Sequence, residues 1–199
     1  MRKLDNNLIS FTGKDGHIWK NGEILFWGQN HVPGVKRPYY QVMPLKQSGI
    51  DDTIKLSGVE DFDLTLSGQV WGGKEDCVDI NNKCRDVVVR ALDGFRPFGR
   101  YACTVKGESR GVRLVGELLS HGKAVDVALG EHSDQARGIT TDVRLDLFSR
   151  KGPITYWIFN ATDPTLEGKG PWKSKFDMPG FFRAPFAWLW RMLKKILPI

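Results

Sequence analysis

Cysteine is scarce in this 199-residue sequence, and long apolar runs are missing. Cys77, Cys84 and Cys103 form no CxxC pair and match no zinc-binding spacing. Each stands in or beside a strand-like segment, so we expect three buried thiols, as is typical of a reducing compartment. No run of 18 apolar residues is present, which excludes a membrane-spanning helix.

The first residues, MRKLDNNL, lack the apolar segment of a cleaved secretion signal. We therefore expect a protein made in the cytoplasm. Its final location stays open.

Motifs for common catalytic and nucleotide-binding sites are missing as well. The sequence has no phosphate-binding loop, no GxGxxG and no nucleophile elbow. The four histidines, His17, His31, His121 and His132, are scattered without metal-ligand spacing. We therefore expect no bound metal and no cofactor.

Positive charge is concentrated in the last quarter of the chain. The net charge is +6, yet residues 1–149 contain 20 basic and 20 acidic residues, whereas residues 150–199 contain 9 and 3. A nucleic-acid-binding protein usually carries its basic patch on the folded body. The distribution argues against nucleic acid and indicates that an anionic partner would meet the C-terminal segment.

A repeat of about two dozen residues organises the middle of the chain. Short segments of alternating apolar residues recur at Ile54, Val78, Cys103 and Val125, which are 24, 25 and 22 residues apart. A second apolar segment follows each of them. Glycine corners then follow, at Gly68, Gly94, Gly116 and Gly152.

Repeats this small cannot bury an apolar face alone, but stacking them in parallel gives one continuous core. We therefore predict an all-β fold, a right-handed parallel β-helix of about five or six coils. An ordinary β-sandwich is the alternative, but it has no reason to keep this register. The residues expected to point inward are Ile54, Leu56, Val78, Ile80, Cys103, Val105, Val125 and Val127. The residues expected to form an outward ladder are Lys55, Asp79, Thr104 and Asp126, with positive-φ corners at Asn81 and Asn82.

Three segments resemble the coils of the right-handed parallel β-helix superfamily of pectate lyases, polygalacturonases and phage tailspikes. They are NGEI at residues 21–24, EDCVDINN at residues 75–82 and CRDVVVRALDG at residues 84–94. The resemblance covers roughly residues 8–160. It implies the architecture rather than an activity, because the fold serves enzymes, adhesins and capsid parts alike.

Four regions are predicted along the chain. Residues 1–50 form an N-terminal cover and the first coil, residues 51–160 the coils, residues 161–180 a linker and residues 181–199 a basic amphipathic helix. The aromatic residues of the first region suit an end cap, and a platform for stacking sugars is the alternative.

On a helical wheel, residues 181–199 separate an apolar face from a cationic one. Three roles fit this helix: it caps the solenoid, docks to a partner protein or sibling chains, or lies in a membrane interface. The predicted contact residues are Phe186, Trp188, Leu189, Trp190, Leu193, Lys194 and Lys195.

The segment Glu75-Asp76-Cys77-Val78-Asp79-Ile80 resembles the paired-carboxylate segment of polygalacturonases. The resemblance makes Glu75, Asp76 and Asp79 candidate catalytic residues, because glycoside hydrolysis needs two carboxyl groups at one bond. Companion NTD and GHG motifs are missing from the neighbouring coils.

A polysaccharide lyase would instead require a Ca²⁺-holding aspartate cluster and a basic side chain. Asp126, Arg100 and Lys106 are the candidate binding residues. The alternative is that all these charges form a solvated outer face.

Whether the protein is an enzyme stays open, and the missing companion motifs favour a non-enzymatic protein. We expect a structural or adhesive β-helix module, such as a phage or viral particle component, attached to a partner or membrane through its C-terminal helix. The competing class is a carbohydrate-active enzyme, either polysaccharide lyase or glycoside hydrolase, or a glycan-binding protein.

Overall fold

The computed structural model describes residues 9–13, 17–20, 26–28, 37, 39–42, 51–130 and 138–175. The predicted C-terminal helix lies outside the described residues. So do its seven predicted contact residues, Phe186, Trp188, Leu189, Trp190, Leu193, Lys194 and Lys195.

The described residues contain strands and no helix. In chain order the strands are β1 (Ile9–Thr12), β2 (His17–Lys20), β3 (Phe26–Gly28), β4 (Tyr39–Val42), β5 (Ile54–Ser57), β6 (Glu60–Ser67), β7 (Val70–Trp71), β8 (Asp76–Asn81), β9 (Arg85–Arg96), β10 (Tyr101–Val105), β11 (Arg110–Leu118), β12 (Val127–Leu129), β13 (Thr141–Ser149), β14 (Ile154–Ile158), β15 (Thr165–Leu166) and β16 (Trp172–Ser174).

The strands form two sheets between which the chain alternates. Sheet A has the order β16-β14-β12-β10-β8-β5-β1-β2, and sheet B the order β15-β13-β11-β9-β6-β4-β3, with β7 added beside β9. Among the described strands the pairs are parallel except β1–β2 and β3–β4. We call one sheet A strand and the following sheet B strand a circuit. Over the described residues, the prediction of an all-β fold with parallel sheets is confirmed.

Successive circuits stack in a fixed register in sheet A. Ile54 pairs with Val78, Val78 with Cys103, Cys103 with Val127 and Val127 with Tyr156. The predicted fourth position, Val125, is therefore wrong by two residues.

The apolar core lies between the sheets and receives side chains from both. Leu56 and Ile80 of sheet A and Leu64 and Leu114 of sheet B belong to one buried cluster. Burying an aliphatic side chain of this size contributes about 1.5–3 kcal/mol. The rings of Phe11 and Phe62 join the sheets at 5.1 Å between centroids.

The three thiols are buried in this core, as predicted. Cys77, Cys84 and Cys103 are free cysteines. The Sγ of Cys84 donates to the carbonyl oxygen of Asn81 at 3.0 Å, and burial raises the pKa of Cys84 to about 11. These cysteines therefore pack as small apolar residues.

The outer faces of the two sheets differ. In sheet B, buried residues alternate with half-buried or exposed ones, and ion pairs such as Asp63–Arg90 and Arg113–Asp146 line the outside. In sheet A, every residue of β8, β10 and β12 is buried. Outward-pointing polar groups of sheet A therefore lie in an environment that excludes most water.

All four glycines predicted at corners have positive φ, between 78° and 154°. Of the four, Gly152 lies between the two sheets, whereas Gly94 and Gly116 lie within β9 and β11 and Gly68 joins β6 to β7 inside sheet B, so the predicted position is wrong for these three. At the opposite corner Gly58, Asn82 and Gly107 stack with φ of 66°, 54° and 66°, so the prediction holds for Asn82 but not for Asn81.

Strands also extend beyond the predicted coils. β15 and β16 add to β13 and β14 in parallel, so part of the predicted linker contributes to both sheets. In the predicted cover, β1 and β4 pair in parallel with β5 and β6.

Candidate functional site

A group of charged side chains lies on the outer side of sheet A. We call it the buried charge cluster, and its members are Asp52, Lys55, Asp76, Asp79 and Lys106. The parallel register places Lys55 directly beside Asp79, because equivalent positions of neighbouring strands share one face. The buried charge cluster therefore brings together two of the three predicted catalytic residues, Asp76 and Asp79, and one predicted binding residue, Lys106.

Asp79 is held between two ammonium groups. Its Oδ2 lies 3.4 Å from Lys55 Nζ and its Oδ1 lies 3.5 Å from Lys106 Nζ. The amide of Asn81 donates to Oδ2 at 2.9 Å. Only 2% of the Asp79 side chain is exposed, so the two positive charges offset the cost of burying the carboxylate.

Asp76 and Asp52 have pKa values far above the ordinary value of a carboxyl group. Burial raises the pKa of Asp76 to about 7, although Thr104 Oγ1 donates to its Oδ2 at 2.6 Å and opposes the shift. Burial, followed by the negative charge of Asp79, raises the pKa of Asp52 to about 8. Asp52 therefore keeps its proton at neutral pH and Asp76 loses its proton only near pH 7, and both lie close to the Asp79 carboxylate and its two lysine partners.

Glu75, the third predicted catalytic residue, lies at the edge of the cluster and is partly exposed. Its Oε1 lies 4.0 Å from Nη1 of Arg100, a predicted binding residue. Arg100 packs its guanidinium 4.9 Å from the ring centre of Tyr101 and donates to the Tyr101 hydroxyl at 3.0 Å. Glu75 and Arg100 are thus reachable from solvent, unlike Asp76 and Asp79.

Asp126, predicted as a binding residue on the outward ladder, is fully buried in the corner before β12. It accepts hydrogen bonds from the backbone N–H of Gly122 at 3.0 Å and of Thr155 at 2.7 Å, and from Thr155 Oγ1 at 2.9 Å. Because Val127 occupies the fourth register position, Asp126 does not stand in line with Lys55 and Asp79. Its carboxylate joins two circuits.

His121 is a candidate that the sequence analysis did not single out. Its Nδ1 lies 3.1 Å from both carboxylate oxygens of Asp126. A carboxylate only accepts hydrogen bonds, so Nδ1 of His121 is the donor in this contact. The only sequence signal is the spacing of five residues between a histidine and an aspartate around Gly122.

A second feature that the sequence analysis missed is an aromatic and arginine group where sheet B leads into sheet A. The rings of Trp71 and Phe98 lie 5.2 Å apart, and the Arg96 guanidinium lies 5.4 Å from the Trp71 ring centre. Phe98 is 43% exposed. The sequence signal for this aromatic and arginine group is that an aromatic residue and a cation recur in two successive segments, at residues 71–74 and 96–100.

Within the described part of the chain, no group of three or more His, Cys, Asp or Glu residues is placed to hold a metal ion. A search of the same residues for a helix long and apolar enough to cross a bilayer found none. Comparisons with family models, with curated proteins and with solved structures gave no match.

Proposed function

We propose that the protein is a non-enzymatic structural or adhesive module built on a right-handed parallel β-helix, of the kind that phage and viral particles use. Support for the architecture comes from the alternation of the chain between two parallel sheets in a fixed register. A stack of this kind is a stiff body, because every circuit packs on its neighbours.

The observation that carries the non-enzymatic function is the placement of the predicted catalytic carboxylates. A glycosidase presents two carboxyl groups to the bond that it cleaves. Asp76 and Asp79 are 4% and 2% exposed, and Asp79 lies between two lysines. Their contacts account for them as parts of the folded sheet, and only Glu75 is open to a ligand.

Residues 181–199 supply the attachment in this proposal. Their sequence combines an apolar face with Arg191, Lys194 and Lys195 on the opposite face. Such a segment suits a protein partner, sibling chains or an anionic membrane surface, where each cation contributes about 1 kcal/mol.

The test compares the full chain with residues 1–180. Light scattering after size-exclusion chromatography measures self-association, and flotation with anionic vesicles measures membrane binding. We expect the full chain to associate in one assay and the truncated chain in neither, while the truncated chain keeps a cooperative thermal unfolding transition. Association that survives the truncation contradicts the attachment role.

A carbohydrate-active enzyme is the second candidate, and the raised pKa values of Asp52 and Asp76 favour it. A protonated carboxyl group near an ionised one is the arrangement that general acid–base catalysis uses. The discriminating assay follows reducing-sugar release and the ultraviolet absorbance of unsaturated products on polyuronates, with and without Ca²⁺. Product that disappears in Asp79→Asn would overturn the non-enzymatic proposal, and the expected result is no product.

A further inference from the structure

The buried charge cluster holds a lysine and a carboxyl group together away from water. Lys55 Nζ lies 3.4 Å from Asp79 Oδ2, and the parallel register sets the two residues directly opposite each other on β5 and β8. Their side chains are 17% and 2% exposed. Lys83 and Glu108 form an ion pair of similar length, 3.2 Å, but their side chains are 64% and 34% exposed. The Lys55–Asp79 pair therefore differs from a surface ion pair in its burial and not in its distance.

The two strands hold this pair in a fixed position. Strand β5 is paired with β1 and β8, and β8 is paired with β5 and β10, so both backbones are fixed on each side. Reacting groups that are held about 3–3.5 Å apart react with effective molarities of about 10⁵–10⁸ M. An amine and a carboxyl group in this arrangement can therefore condense to an amide without an activating enzyme.

The surroundings favour the uncharged forms that such a condensation needs. Burial raises the pKa of Asp76 to about 7 and the pKa of Asp52 to about 8, and both belong to the same cluster as Asp79. An environment that penalises charge in this way also lowers the cost of moving a proton from the Lys55 ammonium to the Asp79 carboxylate. The exclusion of water then protects the product from hydrolysis.

Two neighbouring side chains are placed to assist the reaction at the Asp79 carboxyl group. Lys106 Nζ lies 3.5 Å from Oδ1, where it stabilises the negative charge that develops on this oxygen when an amine attacks. The side-chain amide of Asn81 donates to Oδ2 at 2.9 Å, which helps this oxygen to leave. The carboxyl group thus has one oxygen that is stabilised in place and another that can depart.

We propose that Lys55 and Asp79 form an intramolecular isopeptide bond that joins β5 to β8 covalently. The Lys55 ammonium passes one proton to Oδ2, and the neutral amine attacks Cγ so that the N–C bond forms. A second proton moves from the nitrogen to Oδ2, the C–Oδ2 bond breaks and Oδ2 leaves as water, while Oδ1 becomes the amide carbonyl oxygen. The two groups supply every atom and electron of both products, so no co-reactant is needed. This modification goes beyond the proposed function and does not rest on it.

Intact-mass spectrometry of the purified full chain tests the proposal. We expect a mass that is lower than the sequence mass, with or without Met1, by one water per chain. Protease digestion and tandem mass spectrometry should then find a branched peptide that contains Lys55 and Asp79. The branched peptide separates the isopeptide bond from a cyclised aspartate, which also loses one water but joins no second peptide. A chain that keeps the full sequence mass after prolonged incubation at pH 7, or water loss without the branched peptide, overturns the proposal.

Lysine variants identify the reacting amine. Lys55→Arg keeps the positive charge, but a guanidinium group stays protonated and does not attack, so this variant should keep the full sequence mass. Lys83→Arg is the matched control, because Lys83 contacts Glu108 at a similar distance in solvent, and it should lose one water like the wild type. Water loss that persists in Lys55→Arg overturns the assignment, and the branched peptide then identifies the lysine that reacts instead.

Thermal unfolding provides a second measurement on the same variants. A bond between residues 55 and 79 restricts the unfolded chain, so the wild type should melt about 5–10 °C above Lys55→Arg. Lys83→Arg should melt within about 2 °C of the wild type, because an exposed ion pair contributes little. Equal melting temperatures of the wild type and Lys55→Arg contradict a bond in the folded chain but leave the attachment test with residues 1–180 untouched.

Discussion

The carboxyl group of Asp76 makes the stability of the folded protein depend on pH. Its carboxyl group is nearly buried, receives one hydrogen bond from Thr104 and has a pKa of about 7 instead of 3.8. Asp52 behaves in the same way, with a pKa of about 8. The folded protein therefore keeps two protons that the unfolded chain releases at far lower pH.

The free energy of unfolding should consequently fall as the pH rises from about 4 to about 8, by an amount on the order of a few kcal/mol from Asp76 and Asp52. The sign follows from the raised pKa values: over that range the folded state binds more protons than the unfolded state, so raising the pH favours unfolding. Urea denaturation at a series of pH values measures the dependence.

Asp76→Asn mimics the protonated carboxyl group and can still accept the bond from Thr104. We expect this variant to be more stable than the wild type at pH 8 and to show a shallower pH dependence. A wild-type protein that gains stability between pH 5 and pH 8, or a variant with an unchanged slope, would contradict the assignment.

At the same scale, alternation in the sequence predicts that Asp79 points away from the core but not that it is buried. Its neighbours Val78 and Ile80 face inward, so the direction follows from a period of two. Whether water reaches the outer face depends on what lies against the sheet, and local sequence carries no signal for this. The hydrogen bonds of Asp126 could not be predicted for the same reason.

Among the elements, the corner after β10 requires glycine on two independent grounds. Gly107 has φ of 66°, and a Cβ at this position would lie 2.8 Å from the backbone nitrogen of Asn82 in the preceding circuit. Both the conformation and the space therefore require glycine.

Gly107→Ala should lower the free energy of unfolding by about 2–4 kcal/mol, measured by urea denaturation. Gly13→Ala is the matched control, because Gly13 has φ of 71° but no atom of the described residues within 4 Å of the added Cβ. That variant carries only the backbone strain, about 1 kcal/mol. Equal losses would show that the contact with Asn82 is unimportant.

The wrong register position predicted at β12 shows that alternation with a period of two does not determine which residue of a strand pairs with its neighbour. Val125, Val127 and Leu129 alternate with Asp126 and Ala128, so a shift of two residues keeps every apolar side chain on the same side of the pattern. Pairing with Cys103 selects Val127, and Val125 instead packs with Tyr101 and Ala128 in a separate small cluster.

At the scale of the whole molecule, stability should vary along the stack. Strands β8 and β10 have a paired neighbour on each side, whereas β15 and β16 lie at the ends of the sheet orders. In a stacked array each unit is stabilised mainly by its neighbours.

Hydrogen exchange measured by mass spectrometry should therefore find the slowest amides in β8, β9 and β10 and faster exchange in β15 and β16. The sheet B neighbours β9 and β11 provide an internal comparison with β15. Uniform protection from β8 to β16 would indicate a single cooperative unit and contradict a graded stack.

The parallel, all-β organisation could be predicted because a repeat of about two dozen residues is too small to bury its apolar face alone, so the repeats must stack on one another. The difference between the outer faces of the sheets could not, because both sheets are built from similar alternating segments.

Stacking also fixes how far the chain advances along the stack for each residue. From Val78 to Cys103 the backbone uses 25 residues to advance by one strand spacing, about 4.8 Å, or about 0.2 Å per residue. An α-helix advances about 1.5 Å per residue. Most of the length of each described circuit thus goes into the cross-section of the stack rather than its height, and a stack of this kind resists bending far better than a single helix of equal mass.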